Sequence, residues 1–144
     1  PGSAQLQWVR SELAAAPTQC TMVYWHKPLF SSGPNGPNRD MRELWRALYE
    51  FDADLVVNGH DHLYERFGPQ DPDGRFDPAR GIRQITVGTG GGALYTPIMS
   101  APNTEAIGIV HGVLKLTLSS GGYQWEFLPI PGSSFSDSGI GSCH

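Results

Sequence analysis

Two stretches of the chain place apolar residues three and four positions apart, the spacing that predicts an amphipathic helix. The first follows Ser3, a residue that can cap a helix, and is ended by Pro17. Its apolar face consists of Leu6, Val9, Leu13 and Ala16. The second follows Asn38, another capping residue. Its apolar face consists of Met41, Leu44, Trp45 and Leu48. The pattern therefore predicts one helix near the start of the chain and one before residue 50.

Short apolar runs at 21–25 and 54–57 flank the second helix and predict two buried strands. The first run is broken by Lys27-Pro28 and the second by Asn58-Gly59. A strand, a helix and a strand in succession form a βαβ unit, whose two strands are parallel and joined by a right-handed crossover. Both strands therefore end at the same edge of a sheet, where α/β proteins bind their ligands.

The second half of the chain favours strands over helices. An apolar run at 82–87 predicts a strand, and the alternating runs 109–118 and 123–128 predict a β-hairpin across a Ser/Gly turn. The Ser/Gly-rich segment 131–144 is expected to lie on the surface as a C-terminal tail. Together these elements predict an α/β fold in which a βαβ unit is followed by strands and a β-hairpin.

Composition and charge narrow the functional classes. The chain has 144 residues, enough for one domain, with a net charge of -4 and no cluster of basic residues. A nucleic-acid-binding surface needs such a cluster, so we expect no nucleic-acid partner. No apolar run approaches the ~20 residues that span a bilayer, so we expect no membrane segment.

The two cysteines, Cys20 and Cys143, lack the close spacing of a zinc-thiolate site. We prefer a disulfide that tethers the tail to the start of the first strand, and two separate buried thiols are the alternative. A disulfide would place the protein in an oxidising compartment, extracellular or periplasmic.

Three histidines stand where the βαβ unit gathers its strand ends. His26 follows the first strand, and His60 and His62 follow the second. A bare His-x-His in a loop is more often accidental or merely hydrogen-bonded than a metal site. Gly59 before the pair and His26 at the end of the adjacent strand make a metal site the favoured interpretation here. Neutral imidazole binds Zn, Mn and Fe, and a pair of such ions can hydrolyse a phosphoester.

The run from Gly59 to Arg66, GHDHLYER, resembles the GHxH motif of the calcineurin-like metallophosphoesterases, specifically the GHxHxYER form of the purple acid phosphatase-like branch. The run 23–33, VYWHKPLFSSG, is similar to the preceding family motif, a strand that ends in one metal-binding histidine. The likeness extends to Gln5–Trp8 and Val87–Gly91. It implies that residues 1–130 form the C-terminal part of a metallophosphoesterase catalytic domain, an αββα sandwich.

The resemblance also implies a ligand set. His26 and His60 would bind one metal and His62 the other, the pair being Fe, Zn or Mn. A hydroxide held between the metals would attack a phosphate mono- or diester. The family's Gly-Asp and Gly-Asn-His ligand motifs do not occur here, so we expect them in an N-terminal half that precedes Pro1. The isolated chain should then be inactive. The alternative is a non-catalytic binding or assembly domain that keeps the fold.

Neighbours of the three histidines leave further alternatives open. Asp61 is either a partner that orients the ligands or a turn residue. Arg66 either reaches a substrate phosphate or, as we favour, forms a structural ion pair. The glycine run 88–92 mimics a dinucleotide-binding fingerprint, but no helix can follow it. We therefore expect a tight turn whose backbone closely approaches other parts of the chain.

Overall fold

The structure is a computed structural model that describes residues 2–15 and 18–144. Its helices are α1 (Ala4–Ala15) and α2 (Arg42–Glu50), and a 3₁₀ turn at Arg39–Met41 leads into α2. The strands of this described part are β1 (Met22–Tyr24), β2 (Leu55–Asn58), β3 (Tyr64–Phe67), β4 (Arg83–Val87), β5 (Thr104–Gly108), β6 (Gly112–Ser119), β7 (Gly122–Pro129) and β8 (Asp137–Ser142). No helix within these ranges is long and apolar enough to cross a membrane.

The strands form two sheets. The larger has the order β1-β2-β4-β3-β5, and the smaller has the order β6-β7-β8. β1 pairs in parallel with β2, with Val23 opposite Val56, so the predicted βαβ unit is confirmed. β4 continues the parallel arrangement beside β2, whereas β3 runs antiparallel to β4 and to β5. Three parallel strands therefore end at one edge of the larger sheet.

Both predicted helices are present, and Ser3 caps α1 as expected, whereas Asn38 caps the 3₁₀ turn that leads into α2 and not α2 itself. The Ser3 hydroxyl accepts a hydrogen bond from the Leu6 amide at 3.2 Å, and the Asn38 side chain accepts one from the Asp40 amide at 3.1 Å. α2 buries Trp45 and Leu48 completely, whereas α1 contributes only partly buried residues to the core. Ala16 and Pro17, predicted as the last core position and the terminator of α1, lie outside the described residues.

Two apolar cores separate three layers. The first lies between the helices and the larger sheet and contains Leu29, Trp45, Leu48, Ala53, Val56 and Ile82. The second lies between the two sheets and contains Leu55, Tyr64, Ile85, Tyr123, Trp125 and Phe127. The three aromatic residues from β7 alternate with exposed ones, as the period of two predicts for a strand with one buried face. The α/β layering expected from the sequence is thus present.

The structure corrects the prediction for β1 and adds strands that the pattern did not predict. β1 is an edge strand of the described sheet rather than a buried one, and Tyr24 is 76% exposed. The Ser/Gly-rich end contains β8, which pairs with β7. A Cβ on Gly139 would lie 2.3 Å from the Trp125 ring, and one on Gly141 would lie 2.4 Å from the Tyr123 ring. These glycines therefore make room for the aromatic core.

A disulfide joins Cys20, before β1, to Cys143, after β8, with 5.3 Å between the Cα atoms. It connects the larger sheet to the last strand of the smaller one. The adjacent Asp54 carboxylate is buried and accepts hydrogen bonds from the amides of Thr21 and His144, at 2.8 and 3.0 Å. The end of the chain is therefore fastened to the start of the βαβ unit by covalent and polar contacts.

Candidate functional site

The carboxyl ends of β1 and β2 bring two of the predicted histidines together. His26 follows β1 and His60 follows β2, and the backbone between them is hydrogen-bonded because the Gly59 amide donates to the His26 carbonyl at 3.0 Å. The Asn58 side-chain amide also donates to the Trp25 carbonyl at 2.9 Å. These contacts extend the strand pairing past the regular ladder and hold the two loops in register at the rim of the sheet.

The His26 Nε2 and His60 Nδ1 atoms are 3.1 Å apart, and the two rings meet edge to face. Two nitrogens that bind one zinc ion at about 2.0–2.1 Å lie about 3.0–3.4 Å apart when they occupy neighbouring positions on the metal. His60 reaches this position with a φ of 70°, in the left-handed region that β-carbon-bearing residues seldom adopt. Such a backbone outlier is frequent at functional sites, where the surrounding structure has to hold it.

His62 is held by a different part of the chain. Its Nδ1 atom lies 2.9 Å from the Ala93 carbonyl oxygen, and its ring stacks on Tyr95 with centroids 4.4 Å apart and planes 12° apart. A carbonyl oxygen only accepts, so this contact is a hydrogen bond in the tautomer that carries the proton on Nδ1, and in that neutral tautomer Nε2 keeps the lone pair. That lone pair is the one a metal ion uses.

The three imidazoles have the chemistry of metal ligands, but the set is incomplete. Within the described residues 2–15 and 18–144, no group of three or more His, Cys, Asp or Glu side chains is arranged to hold a metal ion. The separation of His26 and His60 is compatible with two ligands of one ion, and the Nε2 atom of His62 is compatible with a ligand of another. In the described residues, no carboxylate is grouped with these imidazoles in a position to bridge two ions.

Asp61, between the two histidines of the motif, is completely buried. Its carboxylate accepts hydrogen bonds from the Ser31 hydroxyl and, at 3.0 Å, from the Asn35 amide. The Asn35 side chain donates in turn to the His60 carbonyl at 3.2 Å. A Cβ on Gly33 would lie 2.4 Å from the Asp61 carboxyl carbon. Asp61 therefore anchors the loop after His26 to the backbone of the His-x-His turn.

Glu65 provides a second anchor that the sequence pattern did not predict. It is completely buried and accepts hydrogen bonds from the Ser32 amide at 2.9 Å, the Ser32 hydroxyl, and the Thr104 hydroxyl at 2.8 Å. Burial raises the pKa of the Glu65 carboxyl, and the hydrogen bonds from Ser32 oppose that rise. The sequence shows an acidic residue three positions after His62. It does not show which residues this carboxylate contacts.

Arg66 points into the interface between the sheets. Its Nε and Nη2 atoms donate to the two Asp137 carboxylate oxygens at 2.8 and 2.9 Å, Nη1 donates to Glu105, and the guanidinium lies over the Trp125 ring. Burial disfavours ionisation of Asp137, but hydrogen bonds from Arg66 and Tyr64 outweigh it and lower its pKa. This geometry favours the structural ion pair over contact with a substrate.

The glycine run makes the close approaches that its composition predicts. A Cβ on Gly88 would lie 2.0 Å from the Asp61 carbonyl oxygen, so only glycine fits beside the His-x-His turn. Thr89 is fastened to the start of β6, because its hydroxyl donates to the Gly112 carbonyl at 2.8 Å. The Nδ1 atom of His111 lies 3.2 Å from the Thr89 carbonyl, so His111 belongs to this anchor.

No family model matches the chain. Among curated proteins, it is 34% identical over 95 residues to purple acid phosphatase 22 of Arabidopsis thaliana, and that alignment covers 62% of this chain. It is 30% identical over 128 residues to an uncharacterised protein of Mycobacterium tuberculosis, covering 84% of this chain. The chain spans only 21% of the length of each relative.

Solved structures share the fold. The purple acid phosphatase PPD1 from yellow lupin seeds matches 98% of this chain with a TM-score of 0.82 at 20% identity, and 28% of that chain is covered. The chain is a homologue of the purple acid phosphatases. The resemblance seen in the GHDHLYER run is thereby confirmed, as is the fold of the C-terminal part of a metallophosphoesterase.

A second solved structure with this fold is not described as a phosphatase. The structure described as GAP50, the anchor in the inner membrane complex of Plasmodium, superimposes with a TM-score of 0.80 at 20% identity. It covers 96% of this chain and 42% of its own. The purple acid phosphatase fold thus occurs both in a phosphatase and in a protein described as an anchor.

Proposed function

We propose that this chain supplies three ligands to a pair of metal ions in a phosphoesterase that hydrolyses phosphate mono- or diesters. The observation that carries the proposal is the 3.1 Å separation of His26 Nε2 and His60 Nδ1 at the rim of a parallel sheet. Similarity to purple acid phosphatase 22 supports it, as does the resemblance of the runs 23–33 and 59–66, which provide these residues, to two motifs of that family.

His26 and His60 would bind one ion, and His62 would bind the second through Nε2. Imidazole nitrogen suits Fe, Zn and Mn alike. When bound, such a pair activates water and neutralises charge on the oxygens of a phosphoryl group. Asp61 and Glu65 contribute by fixing the loop 31–35 and the His-x-His turn against each other, so that the ligands are held before metal binds.

The remaining ligands, including a carboxylate that bridges the ions, would come from a segment outside these 144 residues. Three imidazoles leave most coordination positions of two ions open, and the Gly-Asp and Gly-Asn-His motifs are missing from the sequence. The partners of this chain are therefore a phosphoester substrate and the protein segment that completes the site. The Cys20–Cys143 disulfide favours an extracellular or periplasmic setting.

A second candidate is a non-catalytic assembly domain that keeps the fold. The match to GAP50, described as an anchor, favours this alternative, because that protein has a closely similar fold. The two candidates differ in what the histidines do. In an assembly domain, the His26–His60 contact would be an ordinary hydrogen bond with no affinity for metal.

Titration of the 144-residue chain with Zn²⁺ by calorimetry separates the candidates. The proposal predicts weak but measurable binding that falls at least about tenfold in His26→Ala and in His60→Ala, because each variant removes one of two ligands on the same ion. His144→Ala, which changes a histidine beside Asp54, is the matched control and should bind as the unchanged chain does. Equal binding by all four proteins would contradict the proposal and favour the assembly domain.

A further inference from the structure

The turn from Gly88 to Tyr95, here called the glycine turn, begins at the same rim as the histidine loops because it follows β4. β4 lies beside β2 in the parallel part of the larger sheet. The Gly88 amide donates to the Leu63 carbonyl at 3.1 Å. The Thr89 contacts with Gly112 and His111 fix the next residue. The first two residues of the turn are thus firmly attached on both sides.

The far end of the glycine turn closes on His62. The Ala93 carbonyl oxygen lies 2.9 Å from Nδ1, the Tyr95 ring covers one face of the imidazole, and the Tyr95 amide donates to the His62 carbonyl at 2.8 Å. One short segment therefore contacts the ring edge, the ring face and the backbone of the same residue. None of these contacts involves His26 or His60. His62, the predicted ligand of the second metal, is therefore held independently of the other two histidines.

We propose that the glycine turn is a positioning element that holds His62 in the Nδ1-protonated tautomer, with Nε2 directed to the open rim. In free imidazole either nitrogen can carry the proton, and the hydrogen bond to a carbonyl selects one of them. Metal-binding histidines are oriented in this way by partners of their second nitrogen. The inference rests on the proposed metal-binding role of His62, but the tautomer itself is a property of the metal-free chain.

Gly92 shows how closely the turn fits the imidazole. A Cβ at this position would lie 2.6 Å from His62 Cε1 and 2.7 Å from Nδ1, so a methyl group cannot be accommodated unless the ring moves. Gly90, two residues earlier, has no heavy atom within 4 Å of a Cβ and needs no left-handed backbone. The same chemical change at these two positions therefore displaces His62 in one case only.

The test compares Gly92→Ala with Gly90→Ala in the metal-free, chelator-treated chain. Long-range ¹H–¹⁵N spectra at about pH 8, where an ordinary imidazole is neutral, report which nitrogen of His62 carries the proton. His62→Asn identifies the signal. We expect the Nδ1-protonated pattern in the unchanged chain and in Gly90→Ala. We expect its loss in Gly92→Ala, with amide signals of the two cores unchanged.

Tyr95 provides a second route that adds no volume. Tyr95→Leu removes the flat ring and should weaken the Nδ1-protonated pattern, whereas Tyr95→Phe keeps the stacked ring and should preserve it. If Gly92→Ala does not fold, the comparison of Tyr95→Leu with Tyr95→Phe tests the proposal. The proposal is overturned if His62 has the Nε2-protonated tautomer in the unchanged chain, or if neither Gly92→Ala nor Tyr95→Leu alters it. Failure of Zn²⁺ binding in calorimetry would instead contradict the proposed function and leave this result intact.

Discussion

Removing the disulfide in the double variant Cys20→Ser/Cys143→Ser is expected to lower the free energy of unfolding by about 4–5 kcal/mol. The bond spans a sequence separation of 123 residues, and a cross-link over so long a loop removes much of the conformational freedom of the unfolded chain. It also joins the first strand of one sheet to the last strand of the other. Without it, the pairing of β8 with β7 and the contact of His144 with Asp54 have to hold the end of the chain.

Urea denaturation followed by tryptophan fluorescence measures this loss. The unchanged chain under reducing conditions is the matched control, because it lacks the bond but keeps both cysteines. It should unfold at nearly the same urea concentration as the double variant, and both should unfold well before the oxidised chain. Equal midpoints for the oxidised chain and the double variant would show that the cross-link adds no stability.

The second large effect concerns catalysis. The purified 144-residue chain is expected to hydrolyse p-nitrophenyl phosphate no faster than metal-containing buffer, whichever of Fe, Zn or Mn is added. Two-metal hydrolysis needs both ions held about 3.5–4 Å apart, and the described residues provide imidazoles but no bridging carboxylate. Enzymes typically accelerate their reactions by about 10⁶-fold or more, so the distinction is easily measured.

A longer chain that also contains the Gly-Asp and Gly-Asn-His motifs is the positive control for this assay. In that chain, His60→Ala should lower kcat by about 10²–10⁴-fold, since loss of a bound metal removes several kcal/mol of transition-state stabilisation. Robust metal-dependent turnover by the 144 residues alone would contradict the incomplete site. Such turnover would also have to disappear in His60→Ala to be attributed to this centre.

The sequence predicted those features that depend on local periodicity. α2 and its buried residues Trp45 and Leu48 follow from a strong helical pattern of apolar residues after Asn38. The parallel pairing of β1 with β2 follows from the order strand, helix, strand. These two facts were sufficient to place His26 and His60 on one rim, although 34 positions separate them in the chain. The strongest part of the candidate site was therefore predictable.

The features that the sequence did not predict depend on contacts between distant segments of the chain. β3 carries buried side chains on both faces, so its sequence lacks the alternation that reveals a strand with one exposed face. The partner of Arg66 is Asp137, 71 positions later, within a segment whose Ser/Gly composition indicated only a surface tail. The orientation of His62 is determined by Ala93, 31 positions later, in a turn whose glycines have no side-chain pattern to interpret.

Anomalous diffraction from crystals of the 144-residue chain soaked in Zn²⁺ tests the central claim most directly, because it locates the ion without reference to activity. The structure predicts an anomalous peak within about 2.0–2.1 Å of both His26 Nε2 and His60 Nδ1, with the two nitrogens remaining close to their 3.1 Å separation. A chain whose zinc peaks lie only at His111 or His144, with none between His26 and His60, would contradict the assignment of these histidines to a metal centre.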